Sequence, residues 1–247
     1  MSVIERAKIR DGVAVVTMND ARRRNAFTPE LLAGLRAAFA GVAGDEDVRA
    51  VVLRGDASWF SSGATREELH ALADGRADFR DLGIARLLVD CPVPTIAAIE
   101  GHAFGGGLVL GLSADVVVLA DEAMCAASFM RVGFTPGMGA TRILPERLGT
   151  ALAQEMLLTG RAYRGAELRS RGAGISIVAR ADVSARASTI AAELADKPRA
   201  SLVTLKRHLS RSLRGSLSGI YEHELEMHRA TFALPEVRAR IAEVPDV

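Results

Sequence analysis

Seven residues, Gly101-His-Ala-Phe-Gly-Gly-Gly107, leave this chain few ways to fold. They follow Pro94-Thr-Ile-Ala-Ala-Ile-Glu100, which reads as a buried strand, and lead into Leu108-Val-Leu-Gly-Leu-Ser113, which reads as the start of a helix. A strand, a run of glycines and a helix start together aim main-chain N–H groups at one point, where they suit an anion. With no Cβ in the way, another group can come close to the backbone. Tight packing of helix on strand would use the same glycines, so this turn alone leaves both readings open.

A second segment repeats the device. Trp59-Phe60-Ser61-Ser62-Gly63-Ala64-Thr65 follows the apolar run Ala50-Val-Val-Leu-Arg54 and turns at Gly63 toward another helix. Two such turns can each supply one N–H. Two converging donors are what an oxyanion hole requires.

Length and composition bound the rest. A chain of 247 residues, 49% hydrophobic, can bury a sizeable core in one domain with at most a small appendage. The net charge of +1 gives no strong field favouring nucleic acid or a membrane surface. The only arginine run, Arg22-Arg23-Arg24, reads either as a solvated face or as a contact for a phosphate-bearing carrier. Cys91 and Cys125 have neither metal-ligand spacing nor a disulfide framework, which fits a reducing compartment, and both sit in apolar runs that predict burial. No secretory leader and no apolar stretch of membrane length is evident, so a soluble cytoplasmic protein without a metal is expected.

Strand and helix alternate along the chain, the pattern of an α/β fold with right-handed crossovers. Val13–Met18, Val51–Arg54, Thr95–Ile99, Asp115–Ala120 and Ile175–Ala179 read as strands. Thr28 reads as an N-cap with Pro29 at the first helical position, opening a helix over Glu30–Val42. A helix is predicted over Asp78–Asp90, stopped by Cys91-Pro-Val-Pro94, with further helices near Ala140–Leu148 and Thr150–Leu158. Gly133–Gly139 is a loop rich in turn residues. Beyond Asp182 the pattern is wholly helical, including Ser201–Leu209 and Ile220–Phe232. This divides the chain into a core, residues 1–197, and a C-terminal helical region, residues 198–247, expected to cover the core or dock on a neighbouring subunit.

The two glycine turns, their order and their separation resemble the crotonase (enoyl-CoA hydratase/isomerase) superfamily. The resemblance spans nearly the whole chain and includes Asn25-Ala26-Phe27, Phe60–Ala64, Gly101–Gly107 with Ala114-Asp115, and Gly133–Gly139. It implies a spiral of ββα repeats with a C-terminal helical appendage, usually assembled as a trimer. It also implies an oxyanion hole, made by the N–H groups of Ala64 and Gly106, that holds a thioester oxygen. The thioester would be carried on coenzyme A or on the phosphopantetheine of an acyl carrier protein, with no other cofactor.

The chain departs from ordinary hydratases at the two positions where they carry glutamates, here Val109 and Phe129. Hydration needs one group to activate water and another to deliver a proton, so it is not expected here. Three strings are similar instead to the decarboxylating homologues of polyketide β-branching cassettes: Ser128-Phe-Met-Arg-Val-Gly-Phe-Thr-Pro-Gly-Met-Gly-Ala-Thr141, Ser201-Leu-Val-Thr-Leu-Lys206 and Glu224-Leu-Glu-Met-His228. That resemblance implies loss of carbon dioxide from a 3-methylglutaconyl-type thioester on an acyl carrier protein. It also assigns the functional histidine to His228, as partner of the departing carboxylate, proton donor to the dienolate, or both.

An apolar wall suits neutral carbon dioxide better than a carboxylate, and Val109, Phe129 and Met130 are candidates for it. A histidine titrating near neutrality is a suitable proton donor. His70, one turn after Arg66, is a candidate for the acyl pocket, and Thr135 for a hydroxyl contact or a turn role. Ala26 and Ser62 are inherited from the resemblance as pantetheine contacts. Some relatives hold the substrate carboxylate with a lysine in this region. Residues 61–90 contain none, leaving Arg66, Arg76 or Arg80 as substitutes. His102 reads as a brace for the glycine turn. The runner-up activity is a double-bond isomerase, which would share the oxyanion hole. A third reading is an inactive scaffold that binds an acyl carrier protein.

Overall fold

Five consecutive buried residues, Thr95–Ile99, form a strand covered on both faces, as a central strand of a parallel sheet must be. A computed structural model describes residues 3–245 and contains two sheets, the larger of which holds that strand in its interior. The strands are β1 (Ile4–Arg10), β2 (Val13–Met18), β3 (Ala50–Arg54), β4 (Trp59–Ser61), β5 (Thr95–Ile99), β6 (His102–Phe104), β7 (Val116–Ala120), β8 (Met124–Ala126), β9 (Ala162–Arg164) and β10 (Ser176–Val178). The larger sheet has the order β1-β2-β3-β5-β7-β10 and is parallel except for the β1–β2 pair. The smaller sheet has the order β4-β6-β8-β9.

The helices are α1 (Pro29–Ala43), α2 (Arg66–Ala73), α3 (Phe79–Leu82), α4 (Ile84–Val89), α5 (Gly106–Leu112), α6 (Phe129–Val132) and α7 (Ala140–Leu148). They continue with α8 (Thr150–Thr159), α9 (Gly165–Ser170), α10 (Arg180–Ala195), α11 (Arg199–Leu209), α12 (Arg211–Phe232) and α13 (Pro235–Ala242). Three times the chain adds one strand to each sheet and then a helix: β3-β4-α2, β5-β6-α5 and β7-β8-α6. This is the expected spiral of ββα units with C-terminal helices added.

Local chemistry sets the helix ends. Thr28 accepts the Leu31 N–H and Pro29 occupies the first turn of α1, as the sequence predicts. Thr65 and Glu68 form a reciprocal capping box at the start of α2. The predicted helix over Asp78–Asp90 is instead two short helices, α3 and α4. Gly83 between them adopts a left-handed conformation (φ 58°) that ends the first and begins the second. Conversely, α12 begins at Arg211, well before the predicted Ile220, and runs through Gly215 and Gly219, which face open space.

The C-terminal helices are fastened to the core by a buried cation. Lys206, 3% exposed, donates to the carbonyls of Leu88 (2.8 Å) and Val93 (3.0 Å) and pairs with Asp115 (2.8 Å). Asp115 also accepts from the Thr95 N–H (2.7 Å) and hydroxyl (2.8 Å) at the start of β5. A charge so buried is tolerable only with such a full set of partners. Leu217, Tyr221, Leu225, Phe232, Val237 and Ile241 join the same apolar cluster as the sheets. Cys91 and Cys125 are both buried and free, and burial pushes the Cys125 thiol up to about 12.

Candidate active site

The first half of the site is made of main chain. Asn25 ties the loop before α1 to β4: its side chain accepts the Asp20 N–H (2.8 Å) and donates to the Trp59 carbonyl (2.9 Å). The Ser61 hydroxyl returns a bond to the Asn25 carbonyl (2.7 Å). This places Phe27, whose N–H donates to the Gly63 carbonyl at 2.8 Å. A trans peptide points its N–H opposite to its C=O, so anchoring the Gly63 carbonyl turns the Ala64 N–H the other way.

The second turn meets the first. Gly105 has φ 52° and ψ −122°, a conformation open in practice only to glycine, and its N–H is held by the Ala126 carbonyl (2.8 Å). A Cβ on Gly63 would lie 3.1 Å from the Gly106 nitrogen, so the two turns are in contact. A Cβ on Gly106 would lie 2.5 Å from both Phe27 and Met138. Neither the Ala64 nor the Gly106 N–H has a protein acceptor among the described residues. Both residues line a cavity of about 580 Å³.

The second half is made of side chains on α12. Glu224, 1% exposed, accepts from the Gly139 N–H (2.7 Å), the Thr141 N–H (3.0 Å) and the Thr141 hydroxyl (2.7 Å) at the start of α7. Burial still raises its pKa, against these bonds. One turn later on the same face stands His228, 6% exposed. The Thr231 hydroxyl then accepts from the Thr135 N–H (3.3 Å) and shares a hydrogen bond with the Thr135 hydroxyl (3.2 Å). The Gly133–Gly139 loop is thus bound to α12 on both sides of His228. A Cβ on Gly137 would lie 2.8 Å from the His228 ring.

Aromatic rings surround His228, with centroids at 4.8 Å (Phe79), 5.0 Å (Phe232) and 6.1 Å (Phe134). Its Nε2 is buried without a hydrogen-bond partner. Desolvation lowers its pKa to about 4, opposed by the Thr135 and Pro136 backbone and by the charge of Asp78. The sequence-based expectation of a histidine titrating near neutrality is therefore corrected: in the free protein the ring is neutral at pH 7.

A sequence profile of the enoyl-CoA hydratase/isomerase family matches residues 8–243. The chain belongs to that family. It is 46% identical over 240 residues to the bacillaene synthase decarboxylase PksI of Bacillus subtilis, covering 97% of this chain and 96% of that protein. One similar solved structure comes from a dehydratase/decarboxylase enzyme couple involved in polyketide β-branching. It has 45% identity and a TM-score of 0.96, covering 98% of this chain and 99% of that one. Another is the ECH2 decarboxylase domain of CurF from Lyngbya majuscula, with 41% identity, a TM-score of 0.92 and the same coverage.

Within this crotonase site the residues singled out from sequence divide into two groups. Ala64, Gly106, Ser62, Phe129 and His228 line the cavity. Ala26, Arg66, His70, Val109, Met130 and Thr135 do not. Ala26 is wholly buried and its N–H donates to Arg23. Val109 is packed into the core of α5, and Thr135 holds Thr231. Arg66 donates to the Ala242 carbonyl (3.3 Å), Arg76 to Asp74 (3.3 Å), and Arg80 to Asp78 and Glu222. All three arginines proposed to replace the missing lysine have partners elsewhere. His102 accepts the Met124 N–H (3.0 Å) and thereby links β6 to β8. Sequence reasoning missed Phe79, and it found Phe134 and Glu224 only as parts of strings. The spacing of Glu224 from His228, one helical turn, was the available signal. Arg24 lies over the Trp59 ring (5.3 Å), and it, Arg131 and Arg240 are exposed residues that line the cavity. Among the described residues no group of side chains is arranged to hold a metal, and no helix is long and apolar enough to cross a membrane.

Proposed function

We propose that this protein is a decarboxylase, a carbon–carbon lyase of polyketide β-branching. It acts on a 3-methylglutaconyl-type thioester carried on the phosphopantetheine of an acyl carrier protein. The observation that carries this reading is a neutral histidine in an aromatic pocket, sharing one cavity with two unpaired main-chain N–H donors. Val109 and Phe129 stand where a hydratase would carry glutamates, so the pair of carboxylates that hydration uses is missing from those positions.

The thioester oxygen sits between the Ala64 and Gly106 N–H groups, and the substrate carboxylate meets His228. The entering negative charge favours the imidazolium, so His228 takes up a proton as substrate binds. The bond to the carboxylate carbon then breaks. Carbon dioxide leaves and the electron pair moves through the enoyl system onto the thioester oxygen. Each preset donor stabilises that oxyanion by about 3 kcal/mol. With the carboxylate gone, His228 again stands in a pocket that disfavours its charge. It is then a strong acid and gives its proton to the dienolate carbon. One substrate and one proton yield carbon dioxide and a 3-methylcrotonyl-type thioester.

The exposed Arg24, Arg131 and Arg240 suit the phosphate of the pantetheine arm, whether carrier protein or coenzyme A presents it. Residues 198–247 act as the cover that completes the site, in a cytoplasmic homotrimer. Mass spectrometry of 3-methylglutaconyl carrier protein tests the reading. Loss of the mass of carbon dioxide with wild-type protein, and slow or no loss with His228→Ala, is expected. An unchanged mass with folded wild-type protein would refute decarboxylation of this substrate and favour the isomerase, which conserves mass.

A further inference from the structure

Behind the first cavity lies a second, of about 530 Å³, between residues 72–79 and the α12–α13 corner. Leu72, Phe79 and His228 face both cavities and form the partition between them. The two sides of that partition differ in chemistry. On the first side the ring meets Phe134 and Gly137. On the second side the walls include Asp74, Asp78, Arg229 and Arg238, with Arg229 exposed to solvent. The charge of Asp78 reaches His228, and that of Arg229 reaches Asp78.

Decarboxylation consumes one proton and releases one small neutral molecule per turnover. On the proposed function, the acyl-pantetheine fills the first cavity from its rim to His228 during that turnover. The ring then has no free path to water on that side. We propose that the second cavity is the port through which His228 takes its proton from solvent and carbon dioxide leaves. The carbon dioxide half rests on the decarboxylase reading; the connection of His228 to solvent does not.

Ala77 and Ala233 lie on the wall of this port and are exposed, so tryptophan at either position narrows it without entering the core. The test labels His228 with diethyl pyrocarbonate, read by peptide mass, while 3-methylcrotonyl carrier protein occupies the first cavity. Wild-type His228 is expected to remain reactive, and Ala77→Trp and Ala233→Trp to slow its labelling several-fold. Exposed His223 serves as an internal control. In turnover the same variants are expected to lower kcat several-fold and raise the solvent deuterium isotope effect, with KM for the loaded carrier unchanged. Labelling that is equally fast in both variants would overturn the port, as would slowed labelling with wild-type kcat and isotope effect. A wild-type protein that binds the thioester but releases no carbon dioxide would defeat the decarboxylase reading alone. The labelling arm needs only binding and would still decide whether the second cavity reaches His228.

Discussion

The two halves of the active site are built by different means. The oxyanion turns are main chain, set by glycine geometry and by hydrogen bonds among residues close to them, such as Phe27 to Gly63 and Gly105 to Ala126. The His228 corner is side chain. It is held by contacts between α12 and a loop about ninety residues earlier, through Glu224, Gly137 and Thr231. On the proposed reading, the first half stabilises charge on the thioester and the second half selects the bond that breaks. A common electrophile would then be handled by backbone, and the reaction chosen by a few side chains on a separately fastened helix.

The largest effect should come from breaking the main-chain half. Gly106→Ala forces a Cβ into Phe27 and Met138 at 2.5 Å. We expect turnover to fall about a hundredfold or more, because displacing one oxyanion donor alone costs that much. Stability should fall by about 1–3 kcal/mol from overpacking, measured by denaturant melts beside single-turnover assays. Next comes the histidine itself. His228→Ala should lower kcat roughly 10²–10⁴-fold, with oxyanion-dependent binding of the product thioester retained. Equal losses of binding and turnover would show that the two halves are not separable.

Glu224→Gln sharpens the comparison. It leaves the ring untouched but removes a charge-assisted acceptor at the start of α7, which should cost about 1.5–3 kcal/mol of stability. It should also lower kcat more than it raises KM, because His228 loses its register. The pH dependence isolates the corner further. The folded-state pKa of His228 lies below its ordinary value of 6.5, at about 4, so the unfolded chain binds more protons between these limits. Stability is therefore lost as pH falls through that window. The His228 contribution should amount to about 2 kcal/mol between pH 7 and pH 5, and it should vanish in His228→Phe. Smallest is Thr231→Val, which removes both contacts of the Thr231 hydroxyl with Thr135 and should cost about 0.5–1.5 kcal/mol by the same melts.

This division also explains what could be read in the chain. Gly63, Gly105 and Gly106 were legible because a positive φ or a close approach demands glycine whatever the rest of the fold does. Thr28 with Pro29 marked the start of α1 for a similarly local reason. His228 was found through a family string, since nothing local distinguishes a buried histidine on an amphipathic helix from an exposed one. Its aromatic cage draws on Phe79, Phe134 and Phe232, which only tertiary folding brings together. Arg66, Arg76 and Arg80 were reasonable partners for a carboxylate by charge, but their reach was decided by Ala242, Asp74, Asp78 and Glu222. The break at Gly83 was visible as a glycine, yet glycine also sits harmlessly inside α12 at Gly215 and Gly219. Only the surroundings tell the two cases apart.

The Lys206–Asp115 contact has a consequence in time. Asp115 and the carbonyls of Leu88 and Val93 leave the ribosome long before Lys206 does. A nascent chain can complete both sheets and both glycine turns while this polar pocket still waits, wet, for its cation. The arrival of α11 then closes the pocket, and α12 follows with His228. On the proposed function, a partly made enzyme would therefore have the means to grip a thioester before it has the means to cut one.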